Sequence, residues 1–449
     1  MTPVVQMTKR VARKTSSSEG ANSLLIRGGH VIDPASDLDD LVDVLLRDGK
    51  VAAINPSRNL QQSAGEVFEA RGLIVAPGFI DLHVHLRQPG QDYKETIATG
   101  TAAAAAGGFT AVCAMPNTVP VNDSPEITSW MQEPGRDAIV TVFPVAAATV
   151  ESKGERLTNY AALRQAGAVA VSDDGHPVLA DNIMEMALRE ARRVDFPVIQ
   201  HAEDTRLSTG GVMNAGVVAF RLGLRGISNR SEWSIVERDI ELARQTDGHV
   251  HVAHLSTAEA MDAVRRGKRQ GIHVTCEVTP HHFTLIDEDV GDYDTRFKMN
   301  PPLRSRADRD ALIPGLRDGI IDAIATDHAP HAMHEKEVEF ERSAFGITGL
   351  ETALALAITQ LYVPGHVSLK RIVELLSTNP ARILGCRDRG SLEEGARADL
   401  TLFDPRKRWT FEAARSRSKS RNSPFDGWKL TGMAVATIVG GKVVYRVDD

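Results

Sequence analysis

Histidine and aspartate residues recur in this sequence at the ends of short apolar runs. The residues that stand in this position are His83, His85, His201, His254 and Asp327. Side chains two apart on a strand project to the same side, so His83 and His85 in IDLHVHL can bind one metal ion. Imidazoles with carboxylates suit Zn²⁺ and require no thiolate. The pair alone could equally be hydrogen-bonded core residues, and it is the accompanying ligands that favour a metal site.

A pair of aspartates closes another run, in the segment VAVSDDGHP. A binuclear metal site needs an anionic bridge between two cations about 3.5–4 Å apart. No lysine that could be carboxylated stands near this position, whereas Asp173 and Asp174 do. One of the two is expected to bridge while the other organises the turn, and the alternative for either is an Asx-turn residue. The sequence alone does not choose between them.

Asp327, in ATDHAPH, can serve in proton transfer. Metal ions lower the pKa of a bound water from 15.7 to around 7 and polarise a carbonyl group under attack. A carboxylate beside that water can accept its proton and deliver it to a leaving amide nitrogen. The alternative for Asp327 is a capping role at the next helix. This arrangement predicts hydrolysis of an amide.

Arg87 and Asn117 follow the first two runs, and His331 comes four residues after Asp327. A guanidinium beside a metal centre commonly pairs with a carboxylate, so Arg87 is predicted to bind a carboxylate of the substrate. A surface arginine without a role is the alternative. His331 could add a further hydrogen-bond donor, whereas His328 is expected to be structural. His249, His251, His281 and His282 are expected to be hydrogen-bonded or solvated residues and not ligands.

Eight apolar runs of strand length alternate with segments of helical period and must position these residues. The runs are Phe79–Leu86, Thr110–Met115, Ile139–Ala146, Ala168–Ser172, Pro197–Gln200, Val250–His254, His273–Val278 and Ile320–Ala325. Near-continuous apolar strands, each followed by room for a helix, predict an α/β fold, a (β/α)₈ TIM-like barrel. The candidate ligands then lie at the C-terminal ends of the strands, where such barrels carry their chemistry.

The two ends of the chain differ from the middle. Short β-rich runs with Gly-Gly, Asp-Gly and Asp-Pro turns predict that residues 24–77 and 386–449 form one small β-sandwich domain. Residues 78–385 form the predicted barrel. Residues 1–23, with four basic side chains and a serine run, are expected to be a disordered leader, and a transit peptide is the alternative.

Composition limits the classes of partner. The chain has 449 residues, with 52 Lys+Arg against 59 Asp+Glu and a net charge of −7, so neither nucleic acid nor a membrane is expected as a partner. The basic run between Arg415 and Arg421 is accordingly predicted to be a solvated loop. Three scattered cysteines fit a reducing compartment, and the cytoplasm is expected. The expected ligand is a small molecule.

Seven motifs together resemble the dihydroorotases of the amidohydrolase superfamily, in the bacterial class with an aspartate bridge. They are GFIDLHVHLRQPGQ, AGGFTAVCAMPNT, SDDG, HAE, HLST, NPPLR and ATDHAPH, and the resemblance runs from about Leu24 to the C-terminus. It implies zinc-dependent, reversible cyclisation of N-carbamoyl-L-aspartate to L-dihydroorotate in pyrimidine biosynthesis. In that reaction, hydroxide held between the metals attacks the cyclic amide, with Asp327 as acid/base.

The resemblance also implies a role for each matching residue. His83, His85 and Asp327 would hold one Zn²⁺, His201 and His254 a second, and Asp174 would bridge the two. The implied substrate-binding residues are His85, Arg87, Asn117, Asn300, His331, Phe345 and Gly346. A homo-oligomer is expected, and association with aspartate transcarbamoylase stays an open alternative.

Two other functions compete with this one. Allantoinase or dihydropyrimidinase would use the same barrel, but these relatives resemble a design with a carboxylated lysine, which the fourth run lacks. A non-catalytic scaffold for aspartate transcarbamoylase would be expected to lose metal ligands, and this chain retains every one.

Overall fold

The two ends of the chain meet in one sheet. The computed structural model describes residues 23–62 and 64–447; all but Ser23 of the expected leader lies outside them. The N-terminal strands of the sheet are β1 (Ser23–Asp33), β2 (Leu38–Arg47), β3 (Lys50–Ile54), β4 (Glu66–Glu69) and β5 (Ile74–Pro77). Its C-terminal strands are β16 (Leu400–Thr410), β17 (Lys429–Val439) and β18 (Lys442–Arg446). The order is β18-β17-β16-β5-β1-β2-β3, with β4 beside β1, so the prediction that both ends of the chain build one β structure is confirmed, as a single sheet.

Two tight hairpins in this sheet follow from their turn residues. Asp48 and Gly49 join β2 to β3 with φ of 52° and 76°, and Gly440 and Gly441 join β17 to β18 with φ of 56° and 79°. Two successive residues with positive φ make the turn whose twist matches the paired strands, which explains the Asp-Gly and Gly-Gly signals. The strand faces bury Ile26, Leu46, Leu402, Ile438 and their neighbours in a separate apolar cluster.

Eight parallel strands form the centre of the molecule. They are β6 (Phe79–Val84), β7 (Phe109–Ala114), β8 (Thr141–Ala147), β9 (Ala170–Ser172), β10 (Val198–Gln200), β13 (Val250–Val252), β14 (Val274–Val278) and β15 (Ala323–Ile324). Each pairs with the next along the chain, and the backbone hydrogen bond from His85 to His328 brings the first strand against the segment after the last. Each of the eight predicted runs overlaps one barrel strand, so the barrel prediction is confirmed. A short pair, β11 (Met213–Asn214) and β12 (Gly226–Ile227), lies in a connecting loop.

Helices separate the barrel strands. The α-helices are α1 (Arg58–Gln62), α2 (Ile97–Ala106), α3 (Pro125–Trp130), α4 (Tyr160–Gln165), α5 (Asp181–Arg193), α6 (Thr205–Ser208), α7 (Val217–Leu222), α8 (Asn229–Thr246), α9 (Ala258–Arg269), α10 (Arg306–Arg317), α11 (Met333–Lys336), α12 (Ala353–Ala357), α13 (Leu369–Val373) and α14 (Asn379–Ile383). Helices α12 and α13 continue into π-helical turns, Ile358–Tyr362 and Glu374–Thr378. Short 3₁₀ turns cover Pro134–Arg136, Val150–Ser152, Asp287–Val290, Thr295–Phe297 and Ala413–Arg415.

Burial on both strand faces holds the barrel together. On β7, Val112 and Ala114 pack in one apolar cluster while Ala111 and Cys113 pack in another. This accounts for runs that are apolar throughout and do not alternate. Helices cover the outer cluster: α5 buries Met184, Ala187, Leu188 and Ala191 at helical spacing, whereas all five residues of α12 are buried. Among the residues that the structure describes, no helix is long and apolar enough to cross a membrane.

Candidate metal centre

The strand ends bring the six predicted metal ligands to one end of the barrel. His83 lies in β6 and His85 directly after it, while the other four follow their strands within three residues. The four that follow later strands are Asp174 after β9, His201 after β10, His254 after β13 and Asp327 after β15. All six side chains are buried. Parallel strands of similar length end at one rim, so residues far apart in sequence become neighbours there.

Three of these residues form a first group with the spacing of metal ligands. The ligand atoms of His83, His85 and Asp327 all lie within 4.8 Å of one another. Asp327 Oδ1 is 3.0 Å from His85 Nε2 and 3.7 Å from His83 Nε2. This is the set that the resemblance implies for one metal ion.

Asp174 lies between that group and the remaining histidines. A second set of ligand atoms within 4.8 Å of one another belongs to His83, Asp174 and His254. Asp174 Oδ1 is 3.6 Å from His201 Nδ1 and 3.8 Å from His254 Nε2, and its Oδ2 is 3.5 Å from His85 Nε2. Its carboxylate therefore reaches imidazoles of both predicted metal positions, as a bridge requires. Asp173 turns away and accepts hydrogen bonds from the backbone and hydroxyl of Thr149.

Unsatisfied atoms show that the cluster suits a cation. His83 Nε2 and Asp174 Oδ1 are fully buried, lie 3.4 Å apart and have no hydrogen-bond partner among the described residues. Buried polar atoms without partners are rare because each loses its hydration, and a metal ion between them would satisfy both. Burial alone would raise the pKa of Asp174, but His83, His201 and His254 hold it well below its usual range. The Asp174 carboxylate is therefore ionised, as a ligand shared by two cations would need to be.

Two carboxylates that the sequence analysis did not assign orient the histidines. Glu277, in β14, accepts hydrogen bonds from His83 Nδ1 and His251 Nε2, both at 3.1 Å. Glu203 accepts one from His201 Nε2 at 2.9 Å. These bonds leave His83 Nε2 and His201 Nδ1 directed at the cluster. A charged residue inside the apolar run of β14 is the sequence signal that could have identified Glu277.

Burial alone would raise the pKa of Glu277, yet the hydrogen bonds from His251 and His83 lower it to about 2. The carboxylate is therefore ionised and is a strong acceptor for both imidazole N–H groups. Three of the remaining histidines are hydrogen-bonded as predicted: His249 to Thr275, His282 to Thr279, and His328 to Glu95 and the backbone of Gly349. His281 departs from the prediction, because its ring is buried and its Nε2 has no hydrogen-bond partner among the described residues.

A cleft of roughly 250 Å³ opens above the cluster and contains the predicted substrate-binding residues. Its lining includes His85, Arg87, Asn117, Asn300, His331, Phe345 and Gly346 together with four of the candidate ligands. We call the ligand side chains at the strand ends the metal side of this lining, and the residues from loops the substrate side.

Arg87 and His331 lie together on the substrate side. Arg87 Nε donates to the carbonyl of Pro330 at 3.1 Å, and its NH2 group lies 3.3 Å from His331 Nε2. Burial, and next the charge of Arg87, lower the pKa of His331 to about 3, so its ring is neutral. Of the described carboxylates, none forms an ion pair with Arg87 within 4.0 Å. The guanidinium thus has capacity for an incoming anion.

Asn117 connects the two sides. Its Oδ1 accepts from His85 Nδ1 at 2.8 Å, and its Nδ2 donates to Asp174 Oδ2 at 3.2 Å. Asn300 Nδ2 donates to Glu203 at 2.8 Å and so approaches the imidazole of His201. Both amides therefore contact the surroundings of the metal side, while their chains belong to loops that line the cleft.

The backbone is unusual at three site residues. Arg87, His254 and Asp327 have φ of 62°, 30° and 47°, in the left-handed region that side chains with a Cβ rarely occupy. Such strain persists where the surroundings determine the conformation, and it concentrates at functional sites. Here it directs one residue of the substrate side and two candidate ligands into the cleft.

The chain resembles known proteins in sequence. A family model described as dihydro-orotase-like matches residues 72–260. The dihydroorotase of Solibacter usitatus is 52% identical over 419 residues, which cover 93% of this chain and 97% of that protein. The dihydroorotase of Geobacter metallireducens is 49% identical over 426 residues, covering 94% of this chain and 100% of that protein.

Solved structures resemble the chain in fold. The L-hydantoinase (dihydropyrimidinase) of Arthrobacter aurescens superposes with a TM-score of 0.84 at 24% identity, covering 95% of this chain and 96% of that one. The dihydropyrimidinase of Brevibacillus agri superposes with a TM-score of 0.81 at 23% identity, covering 94% and 95%. At this level of identity, the solved structures support only the fold, which is the barrel with its terminal sheet. Inference about activity therefore depends on the relatives that are similar in sequence.

Proposed function

The chain belongs to the dihydroorotase family of cyclic amide hydrolases, and on that premise we propose that its cleft interconverts N-carbamoyl-L-aspartate and L-dihydroorotate. This is the ring-closing step of pyrimidine biosynthesis. The observation that carries the proposal is one cleft that is lined both by a cluster of candidate metal ligands and by the buried Arg87. Dihydroorotate has a cyclic amide, which would react at the metal centre, and a carboxylate, which Arg87 would bind.

The family is metal-dependent, and we propose two Zn²⁺ ions in this chain. His83, His85 and Asp327 would hold one and His201 and His254 the other, with Asp174 between them. The distances from Asp174 to the imidazoles and the unsatisfied atoms of His83 and Asp174 support this assignment. When bound, the ions would polarise the amide carbonyl and lower the pKa of a water toward about 7.

Asp327 is the proposed acid/base. Its Oδ1 faces both imidazoles, which leaves Oδ2 to take a proton from the attacking water. In ring opening, the same oxygen delivers that proton to the amide nitrogen as the C–N bond breaks. Ring closure runs through the same steps in reverse.

The substrate side binds the rest of the molecule. Arg87 would pair with the carboxylate through a charge-assisted hydrogen bond, and Asn117, Asn300 and His331 would donate or accept around it. Phe345 and Gly346 would contact the ring. His85, at the border of the two sides, would contact both metal and substrate.

The competing activities are less well supported. A hydantoin or an unsubstituted dihydropyrimidine carries no carboxylate and would leave Arg87 buried without an anionic partner, which is costly. The loop after β9 contains the aspartates in place of a lysine. A scaffold without activity would not require six buried ligands in metal-binding positions.

Metal analysis combined with turnover tests the proposal. We expect two zinc ions per chain and ring opening of dihydroorotate that chelation abolishes and Zn²⁺ restores. Preference for allantoin or hydantoin over dihydroorotate would contradict the proposed substrate. One zinc ion with full activity would contradict the binuclear site, and no metal with no turnover would favour the scaffold.

Further expectations of the sequence remain proposals. We propose that the protein is a cytoplasmic homo-oligomer, with a complex with aspartate transcarbamoylase as the alternative assembly. We place the boundaries between the terminal domain and the barrel near residues 77 and 386. Light scattering on the purified protein, alone and mixed with the transcarbamoylase, distinguishes a monomer, a homo-oligomer and a mixed complex.

A further inference from the structure

Lys336 lies outside the reacting groups, yet it holds the backbone of the substrate side. The side chain ends helix α11 and is 4% exposed. Its Nζ donates to the carbonyl oxygens of Ala344 at 2.8 Å, Gly346 at 3.1 Å and Lys298 at 3.2 Å. An ammonium group has three N–H donors, and all three are used on backbone. No described carboxylate forms an ion pair with it within 4.0 Å.

Gly346 is fixed by two further hydrogen bonds and by the space around its Cα. Asn422, from the segment before β17, donates to the Gly346 carbonyl at 3.0 Å, and the Gly346 N–H donates to the carbonyl of Lys298 at 3.0 Å. The φ of Gly346 is 125°, and a Cβ there would lie 2.6 Å from the Cβ of Ala329. The peptide is therefore held at both its N–H and its carbonyl, in a conformation and space that suit only glycine.

The neighbouring residue is held as well. His331 Nε2 donates to the Phe345 carbonyl at 2.7 Å, and the Phe345 ring lies 4.4 Å from Lys298 Nζ. Lys298 itself donates to the carbonyls of Phe340 and Glu341. Residues 340–346 thus present five carbonyls to two buried lysines, a histidine and an asparagine.

A buried ammonium is expensive unless its donors are satisfied. Burial is the largest cause that lowers the pKa of Lys336 to about 7, and the charge of Lys298 adds to it; Asp294 opposes both. For packing alone, an apolar side chain would fill this position at lower cost. The three carbonyl contacts are what the lysine adds, and two of them belong to the segment that ends at Phe345 and Gly346.

We propose that Lys336 is a positioning residue for the substrate: it fixes the Ala344 and Gly346 carbonyls and so sets the edge of the cleft against which the ring lies. Asn422 shares this role from the C-terminal segment. The inference rests on the proposed function, because it assigns Phe345 and Gly346 to the ring of dihydroorotate. It predicts that losing Lys336 weakens binding in the ground state and the transition state alike.

Lys336→Met tests the proposal. We expect KM for dihydroorotate to rise about tenfold while kcat changes by less than about threefold, because uniform binding is lost. Metal content should equal that of the unmodified protein. Lys336→Arg keeps the charge and the N–H donors but changes their geometry, so its KM should lie between that of the unmodified protein and that of Lys336→Met. The matched control is Arg342→Met, which removes the exposed ion pair to Glu339 in the same segment but no side-chain contact with a carbonyl, and its KM should stay within about twofold.

A double-mutant cycle sharpens the test. Lys336 and Asn422 donate to one carbonyl oxygen, so their effects on KM should be less than additive when Lys336→Met is combined with Asn422→Ala. Fully additive effects would contradict a shared role. So would an unchanged KM in Lys336→Met, a fall in kcat as large as the rise in KM, or a loss of metal.

A variant that does not fold and an unmodified protein that is inactive also give a decision. If Lys336→Met does not fold, Lys336→Arg decides alone: a raised KM with unchanged kcat and metal content supports the proposal, and an unchanged KM overturns it. If the unmodified protein turns over no dihydroorotate, the proposed function fails. The inference then fails with it, whereas an active protein with an indifferent Lys336 overturns the inference alone.

Discussion

The two sides of the cleft are built in different ways. On the metal side, buried side chains project from the ends of paired strands, and the hydrogen bonds of the barrel fix their origins. On the substrate side, Phe345 is 36% exposed, and residues 340–346 do not form part of a β-strand. Side chains from other parts of the chain hold the carbonyls of this segment. A sheet positions ligands through its regular ladder, whereas a loop needs individual donors for its backbone.

The C-terminal segment between Arg417 and Asn422 shows how such donors are supplied. Arg417, Lys419 and Arg421 are exposed, while Ser418, Ser420 and Asn422 alternate with them and are buried. Ser418 donates to Glu95, and Ser420 donates to the His331 carbonyl. The predicted solvated loop is thus correct for its basic side chains but incomplete. Its alternate residues connect the end of the chain to the substrate side.

The largest effect should come from Asp327→Asn. We expect kcat for ring opening to fall about 10²- to 10⁴-fold, because an amide cannot take and return the proton. The fold and at least one metal ion should be retained, as other ligands of that ion remain. Steady-state rates with metal analysis check this, and a near-normal rate would refute the acid/base role.

Arg87→Met should act on the substrate side instead. Loss of a charge-assisted pair with the carboxylate should raise KM about 10- to 100-fold while leaving the metal content unchanged. Arg87→Lys restores the charge without the planar fork, so it should recover only part of the affinity. An unchanged KM in the methionine variant would place the carboxylate elsewhere in the cleft.

Glu277→Gln should affect the metal side alone. Without the carboxylate, the His83 imidazole loses its charge-assisted orientation, and we expect about tenfold weaker metal binding. Competition with a chelator measures this, and KM for dihydroorotate in the fully loaded protein should be unchanged. Equal metal retention in both proteins would show that barrel packing by itself orients His83.

The smallest effect separates the two faces of the C-terminal segment. Arg417→Ala, on the exposed face, should change the free energy of unfolding by no more than about 0.5 kcal/mol and leave KM unaltered. Ser420→Ala, on the buried face, should raise KM about threefold, because it releases His331. Equal KM values for the two variants would contradict a role of this segment on the substrate side.

The local pattern of the sequence predicts the metal side well. Apolar runs of strand length arise from burial on both faces, and the polar residue at the end of each run lies at the rim of the barrel, so His83, His201 and Asp327 could be placed before any contact was known. The Asp-Gly and Gly-Gly hairpins of the terminal sheet could be predicted for the same reason, since φ preference belongs to the residue itself.

Only the tertiary structure shows that Asp174, and not Asp173, contacts the histidines of the site. It also joins His83 to Glu277 across 194 residues and Asn422 to Gly346 across 76 residues. Strand period and turn preference depend on residues that are close in sequence. The sequence alone therefore determined the barrel, its terminal sheet and the rim where the ligands lie. The bonds of Lys336 and Asn422 to backbone carbonyls have no sequence signature, because every residue offers the same carbonyl and only folding decides which ones a buried donor meets.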